Sequence, residues 1–173
     1  MVRLFYLIIL CVILSCSSGH NDKYGIYIPN NPNYTLKGKK GDKIPKELDT
    51  INVYEFYGYY SNNNLIEDEA ADGWKGYKKF ISNGRVYSFG TAKLEEKSLD
   101  PNYANKGYYI YNEKNKEIKH EVFTNGNGGQ FVILKYKLSK EGDTLTSLEN
   151  GKKNHVYIRF IIPKEWKKYK INW

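Results

Sequence analysis

Few residues in this chain of 173 can do covalent, metal or acid–base chemistry, and they are scattered. The cysteines are Cys11 and Cys16, and the imidazoles are His20, His120 and His155. His120 alternates with Ile118 and Val122, which aims it at the inside of a strand-built core. One imidazole without carboxylate or thiolate company does not make a metal site. Glu67-Asp68-Glu69 with Asp72 concentrates acid but lacks the alternating oxygen spacing that converges on calcium, so it reads as a solvated loop. Asn125-Gly126-Asn127-Gly128-Gly129 reads as a mobile loop at a rim. No Gly-x-Ser-x-Gly elbow, phosphate loop or His-Glu-x-x-His pattern occurs. Without a clustered nucleophile, base or ligand set, the expectation is a non-enzymatic protein with no catalytic residues, no metal and no cofactor.

The 17 tyrosines are more informative. Tyrosine joins a flat apolar body to a polar tip, which suits sugar rings, aromatic ligands and protein interfaces. Tyr57, Tyr59, Tyr60, Tyr87, Tyr108, Tyr109 and Tyr111 all fall on predicted strands, where aromatic pairs also stabilise a sheet. The net charge of +8 comes from 24 Lys and only 3 Arg (Arg3, Arg85 and Arg159). Nucleic-acid readers lean on the planar, bidentate fork of Arg. A Lys-dominated surplus reads instead as solubility or loose attraction to anionic lipid and polysaccharide, so nucleic acid is not an expected partner.

At the start, Arg3 supplies a positive region and Leu4 to Leu14 an apolar run. That run is too short for a membrane-spanning helix and has the length of a signal-peptide core. Ile13-Leu14-Ser15-Cys16 resembles the lipobox of bacterial lipoproteins. The resemblance implies residues 1–15 as a lipoprotein signal peptide, cut before Cys16. The cysteine would then carry a thioether-linked diacylglycerol and usually an acylated amine, palmitate-type chains that hold the protein to a membrane. Ser17, rather than Asp, follows the cysteine, which favours the outer membrane, with the domain facing the periplasm or the surface. Residues 16–50, rich in Asn, Pro, Gly and Lys, read as a flexible tether.

Residues 51–173 must position everything else. Apolar and β-branched runs broken by turn residues predict strands near 51–60, 74–81, 85–91, 107–112, 117–123, 130–138, 143–149 and 154–162. Asn83-Gly84 and Asn150-Gly151 carry the pair favoured by two-residue hairpins, in which both turn residues take positive φ. Val132, Leu134, Tyr136 and Leu138 form one face, and Val156, Ile158, Phe160 and Ile162 another, opposite His155 and Arg159. Pro163 starts a short C-terminal helix, with Trp166, Tyr169 and Trp173 on one side. The expected fold is therefore all-β: an eight-stranded antiparallel up-and-down meander, closed as a barrel to hide its edges.

The order of these features resembles the lipocalin-like domains of small Bacteroidota lipoproteins. The matching residues are Gly58-Tyr59-Tyr60, the hairpin Phe80-Ile81-Ser82-Asn83-Gly84, Gly107-Tyr108-Tyr109, and Gly142-Asp143-Thr144-Leu145. Tyr60 stands where the family tends to have Trp, and Asn83 where it has Asp. In lipocalins that Trp packs under a late-strand Arg, a part the resemblance gives to Arg159 over Tyr60. It implies a closed barrel binding a small apolar or aromatic ligand, lined by Tyr59, Phe89, Tyr109, His120 and Tyr136. The alternative, from another class, is a solid-packed barrel that grips an envelope protein or glycan.

Overall fold

Period-two alternation along the second half of the chain builds a closed antiparallel barrel. The structure, a computed structural model, describes residues 19–21, 27–29, 32–39, 41, 43–68, 73–124, 130–148 and 153–166. The chain divides into two units, Met1–Asn33 and Tyr34–Trp173. In the first, β1 (Gly19–Asn21) pairs antiparallel with β2 (Tyr27–Pro29). Cys16 lies outside the described residues. No helix among the described residues is long and apolar enough to cross a membrane.

The second unit holds β3 (Val53–Ser61), β4 (Asn64–Glu67), β5 (Lys75–Phe80), β6 (Arg85–Thr91), β7 (Asn105–Asn112), β8 (Glu117–Thr124), β9 (Gln130–Leu138), β10 (Thr144–Ser147) and β11 (Asn154–Phe160). From β5 to β11 each strand pairs with the next, β5 also pairs with β3, and β11 returns to β3. The eight expected strands thus close a ring. The addition is β4, which pairs with Gly58–Ser61 of β3 beyond the part that β5 occupies. Its two-residue turn uses Asn62 and Asn63 at φ 50° and 65°, since asparagine tolerates the left-handed region. At the expected Asn83-Gly84 turn only Gly84 has positive φ. The Ile81 amide donates to the Arg85 carbonyl, making a wider loop with a glycine bulge. Asn150-Gly151 lies outside the described residues.

Residues opposite each other in neighbouring strands share a face, so the register assigns the lumen. Tyr54, Phe80, Val86, Tyr109, Ile118, Tyr136 and Leu145 are buried there together, with Tyr157 of β11 packed against them. The opposite parity carries a second buried cluster of Val53, Tyr77, Leu99 and Ile162, with Phe89, Leu94 and Trp166 against it. Leu99 ends a 3₁₀ turn, Glu96–Leu99, tied down by the Tyr87 hydroxyl, which donates to the Leu99 carbonyl at 3.0 Å. Of the expected C-terminal helix, the described part is a 3₁₀ turn, Lys164–Trp166. Tyr169 and Trp173 lie outside the described residues.

One strand reverses its expected faces. On β11, Tyr157 turns inward because it pairs with the buried Leu145, while Ile158 and Phe160 are 37% and 41% exposed. Their β-branched and aromatic shapes favour a strand whether or not the face is covered. Arg159 stands opposite Tyr54 in the register, not over Tyr60, and its Nε lies 4.0 Å from Asp49.

The expected boundary at residue 51 moves back to Tyr34, because three apolar anchors sit within the linker-like text. Tyr34 packs edge-on to Tyr108 and Phe131 at 5.0 and 4.9 Å. Leu36 and Leu48 are buried. Glu121, buried on the outer face of β8, accepts from the amides of Thr35 and Leu36 at 2.9 and 2.7 Å and from the Thr35 hydroxyl at 3.0 Å. Near Leu48, Gly142 at φ 72° lies so close to Glu47 that a Cβ would stand 2.0 Å from its carbonyl oxygen. Gly142→Ala combines a left-handed alanine with a backbone clash, and is expected to lower stability by about 2 kcal/mol, read from the urea midpoint.

Candidate functional site

The barrel's two ends differ. Three short hairpins, around Gly84, Lys116 and Gly142, gather at one end, where Leu48 and Ile44 pack against the lumen cluster. Lumen residues near that end, such as Phe80, Val86 and Ile118, are fully buried. Towards the other end the inward side chains Phe56, Tyr59, Leu134, His155 and Tyr157 are only half-buried. In the burial of its described residues the lumen is therefore a cup, packed at the hairpin end and less covered towards the second.

Small residues line one wall. Gly76 pairs with Gly90, Lys78 with Ser88, and Val86 with Gly107, all at inward positions on β5 to β7. A Cβ at Gly107 would stand 2.3 Å from the Glu121 carbonyl oxygen and 3.0 Å from His120 Nε2, so only glycine admits that approach. Trp74, 57% exposed, shares the inward parity of Gly76, and its indole lies against Gly90 at the lip. Facing this wall are aromatic rings: Phe56 packs at 5.5 Å against both His155 and Tyr157.

The floor is polar. Lys78 is buried, and its ammonium lies over the Tyr157 and Tyr136 rings at 4.8 and 5.3 Å. Such cation–π contacts strengthen when desolvated. Burial still penalises the charged form and brings the Lys78 ammonium down from 10.5 to about 8. His120 is fully buried and stacked on Tyr136 at 6.3 Å between ring centroids. Burial first, then the Lys78 charge, holds its pKa well below the ordinary 6.5, so the ring is neutral. Among the described residues, both His120 nitrogens and the Ser88 hydroxyl are buried without a hydrogen-bond partner. Unpartnered polar groups at such positions are destabilising, and native cores rarely keep them without a use. His120→Leu removes two of these atoms at similar volume, and is expected to raise the midpoint of urea unfolding, corresponding to about 1 kcal/mol.

Of the residues expected to line a ligand, Tyr109, His120 and Tyr136 come together in the lumen. The Tyr109 hydroxyl is committed, donating to the Ile81 carbonyl at 2.8 Å. Tyr59 lies nearer the mouth, with the Lys153 ammonium 4.0 Å from its ring centroid. Phe89 belongs to the outer cluster, stacked on Tyr77, because its neighbour Ser88 takes the inward position. The floor residues absent from that set are Lys78 and Ser88. Their signal was parity: Lys78 sits two residues before Phe80, so whichever way Phe80 points, Lys78 follows. A separate cleft of about 420 Å³ lies at the hairpin end, between Glu47, Tyr111, Lys116 and Lys137.

Compared with known proteins, the chain matches no family model, no curated protein and no solved structure.

Proposed function

We propose that this chain is a lipid-anchored binding protein of the cell envelope, whose lipocalin-like barrel takes a small ligand with an apolar or aromatic body into its cup and catalyses no reaction. The observation that carries the reading is the partnerless polar floor of His120 and Ser88, set below half-exposed aromatic walls and a glycine-lined side. Ligand pockets combine an apolar lining with a few placed polar groups in this way. Anchoring rests on the signal-like Leu4–Leu14 run and on Cys16, which the reading places in the outer membrane with the barrel facing the periplasm or the surface.

Native mass spectrometry of the mature protein, released from bacterial membranes in mild detergent, tests both parts. A mass increment on the Cys16 peptide reports acylation, and a discrete extra mass lost on denaturation reports an occupied cup. An unmodified N-terminal peptide removes the anchor, and a bare protein that also ignores added apolar probes removes the binding role.

A second reading, an envelope module gripping a protein or glycan, is favoured by the exposed Ile158 and Phe160 on the outer face of β11 and Ile161 just after the strand. Pull-down from envelope extracts that fails on replacing these residues by serine supports it, whereas unchanged recovery excludes it.

A further inference from the structure

We propose that the cup's floor is a headgroup site for a monocarboxylate, so that the ligand is an acid with an apolar or aromatic body. This rests on the binding reading above and adds the chemistry of the ligand's polar end.

Lys78 forms no salt bridge among the described residues, although ion pairs elsewhere on the barrel are made. Among the described residues, no Asp or Glu takes an inward position on any of the eight barrel strands; Glu55, Glu117 and Glu121 all have the outward parity. Arg159, also inward, is beside Asp49. Among the described residues the floor thus holds one buried cation and no anion. Buried charges are ordinarily paired, because an unpaired one is strongly disfavoured.

Donor count points the same way. Lys78 offers only donors, neutral His120 one N–H, and Ser88 one O–H. These groups reach the lumen from β5, β8 and β6. A carboxylate has two oxygens with about four lone-pair sites, which matches a set of donors that take inward positions on different strands. A phosphate dianion fits less well, since it calls for Arg forks or a cluster of backbone amides that this floor lacks. The edge-on Tyr136 and Tyr157 rings beside Lys78 and the side-chain-free Gly76–Gly90 pair supply the surface on which the acid's body would lie on the way to the mouth.

The test uses the full chain in lipid nanodiscs and equilibrium dialysis, with empty nanodiscs subtracted. The probes are two matched pairs, 2-naphthoate with 2-naphthamide and decanoate with decan-1-ol. At neutral pH the wild type is expected to bind at least one acid about tenfold or more tighter than its neutral partner. Lys78→Met should abolish that preference while keeping the weaker binding of the neutral probe. Lys78→Gln serves as the second variant if the methionine protein fails to fold. Equal binding of acid and neutral probes, unaltered by either variant, overturns the headgroup site and leaves the cup intact. Binding of neither pair, together with a bare native mass, overturns both readings and leaves the floor to ordered water.

Discussion

Replacing Tyr54 by alanine is expected to remove about 4–5 kcal/mol of stability, enough to unfold much of the population at physiological temperature. The ring is fully buried and meets Phe80 edge-on at 5.8 Å. Its hydroxyl also sits between two chain segments, accepting from the Asp49 amide at 3.0 Å and donating to the Gly142 carbonyl at 2.9 Å. Tyr54→Ala therefore opens a cavity and strands the buried Gly142 carbonyl and the partly buried Asp49 amide at once. Tyr54→Phe keeps the ring and should lose only about 1–2 kcal/mol. Chemical denaturation of the two variants separates packing from tethering. Similar losses in both would mean that the hydroxyl, not the ring, holds the hairpin end together.

Lys78→Met should have the opposite sign. Methionine nearly matches the stem's volume and removes a buried charge, so stability at pH 7 is expected to rise by about 1–2 kcal/mol after the two cation–π contacts are lost. The pH dependence is more diagnostic. Lys78 titrates at about 8 in the folded barrel and at its ordinary 10.5 when unfolded. Between those values the unfolded chain holds a proton that the folded chain has released, so stability rises with pH across that window. The full rise is about 3 kcal/mol, and below pH 8 the penalty is fully present. The groups around the ammonium are His120 from β8, Tyr54 from β3, Tyr136 from β9 and Tyr157 from β11. His120 is already neutral in this range. Tyr54, pushed up to about 12 by burial, contributes a fall in stability above pH 10, which cancels between wild type and variant. The expected result is a Lys78→Met advantage that is constant below pH 8 and shrinks towards pH 10.5. A difference that does not change with pH would show that the ammonium is hydrated.

Strand order and closure were legible because the rhythm of apolar runs and short polar loops allows little but an antiparallel meander. β4 was not, since Asn64–Glu67 is exposed along its whole length and carries no burial pattern. Residues 34–50 read as tether because three anchors, Tyr34, Leu36 and Leu48, are diluted by Lys, Gly and Pro. The faces of β11 misled for a related reason: Val156, Ile158 and Phe160 advertise a strand, yet pairing with β10 turns Tyr157 inward instead. Lys78 escaped notice because a lysine on a strand is ordinarily a solvent-face residue, and only the register shows that it shares the side of Phe80. The glycine wall was equally silent, since Gly76, Gly90 and Gly107 read as punctuation until the pairing aligns them.

A crystal structure of the barrel unit, Tyr34–Trp173, grown with 2-naphthoate, tests most directly whether the lumen is a ligand site. The naphthalene body is expected between the Gly76–Gly90 wall and the Tyr157 ring, with its carboxylate in hydrogen-bond contact with Lys78 Nζ. A lumen filled only by its own side chains and water, with naphthoate absent or bound to the outer surface, would contradict it.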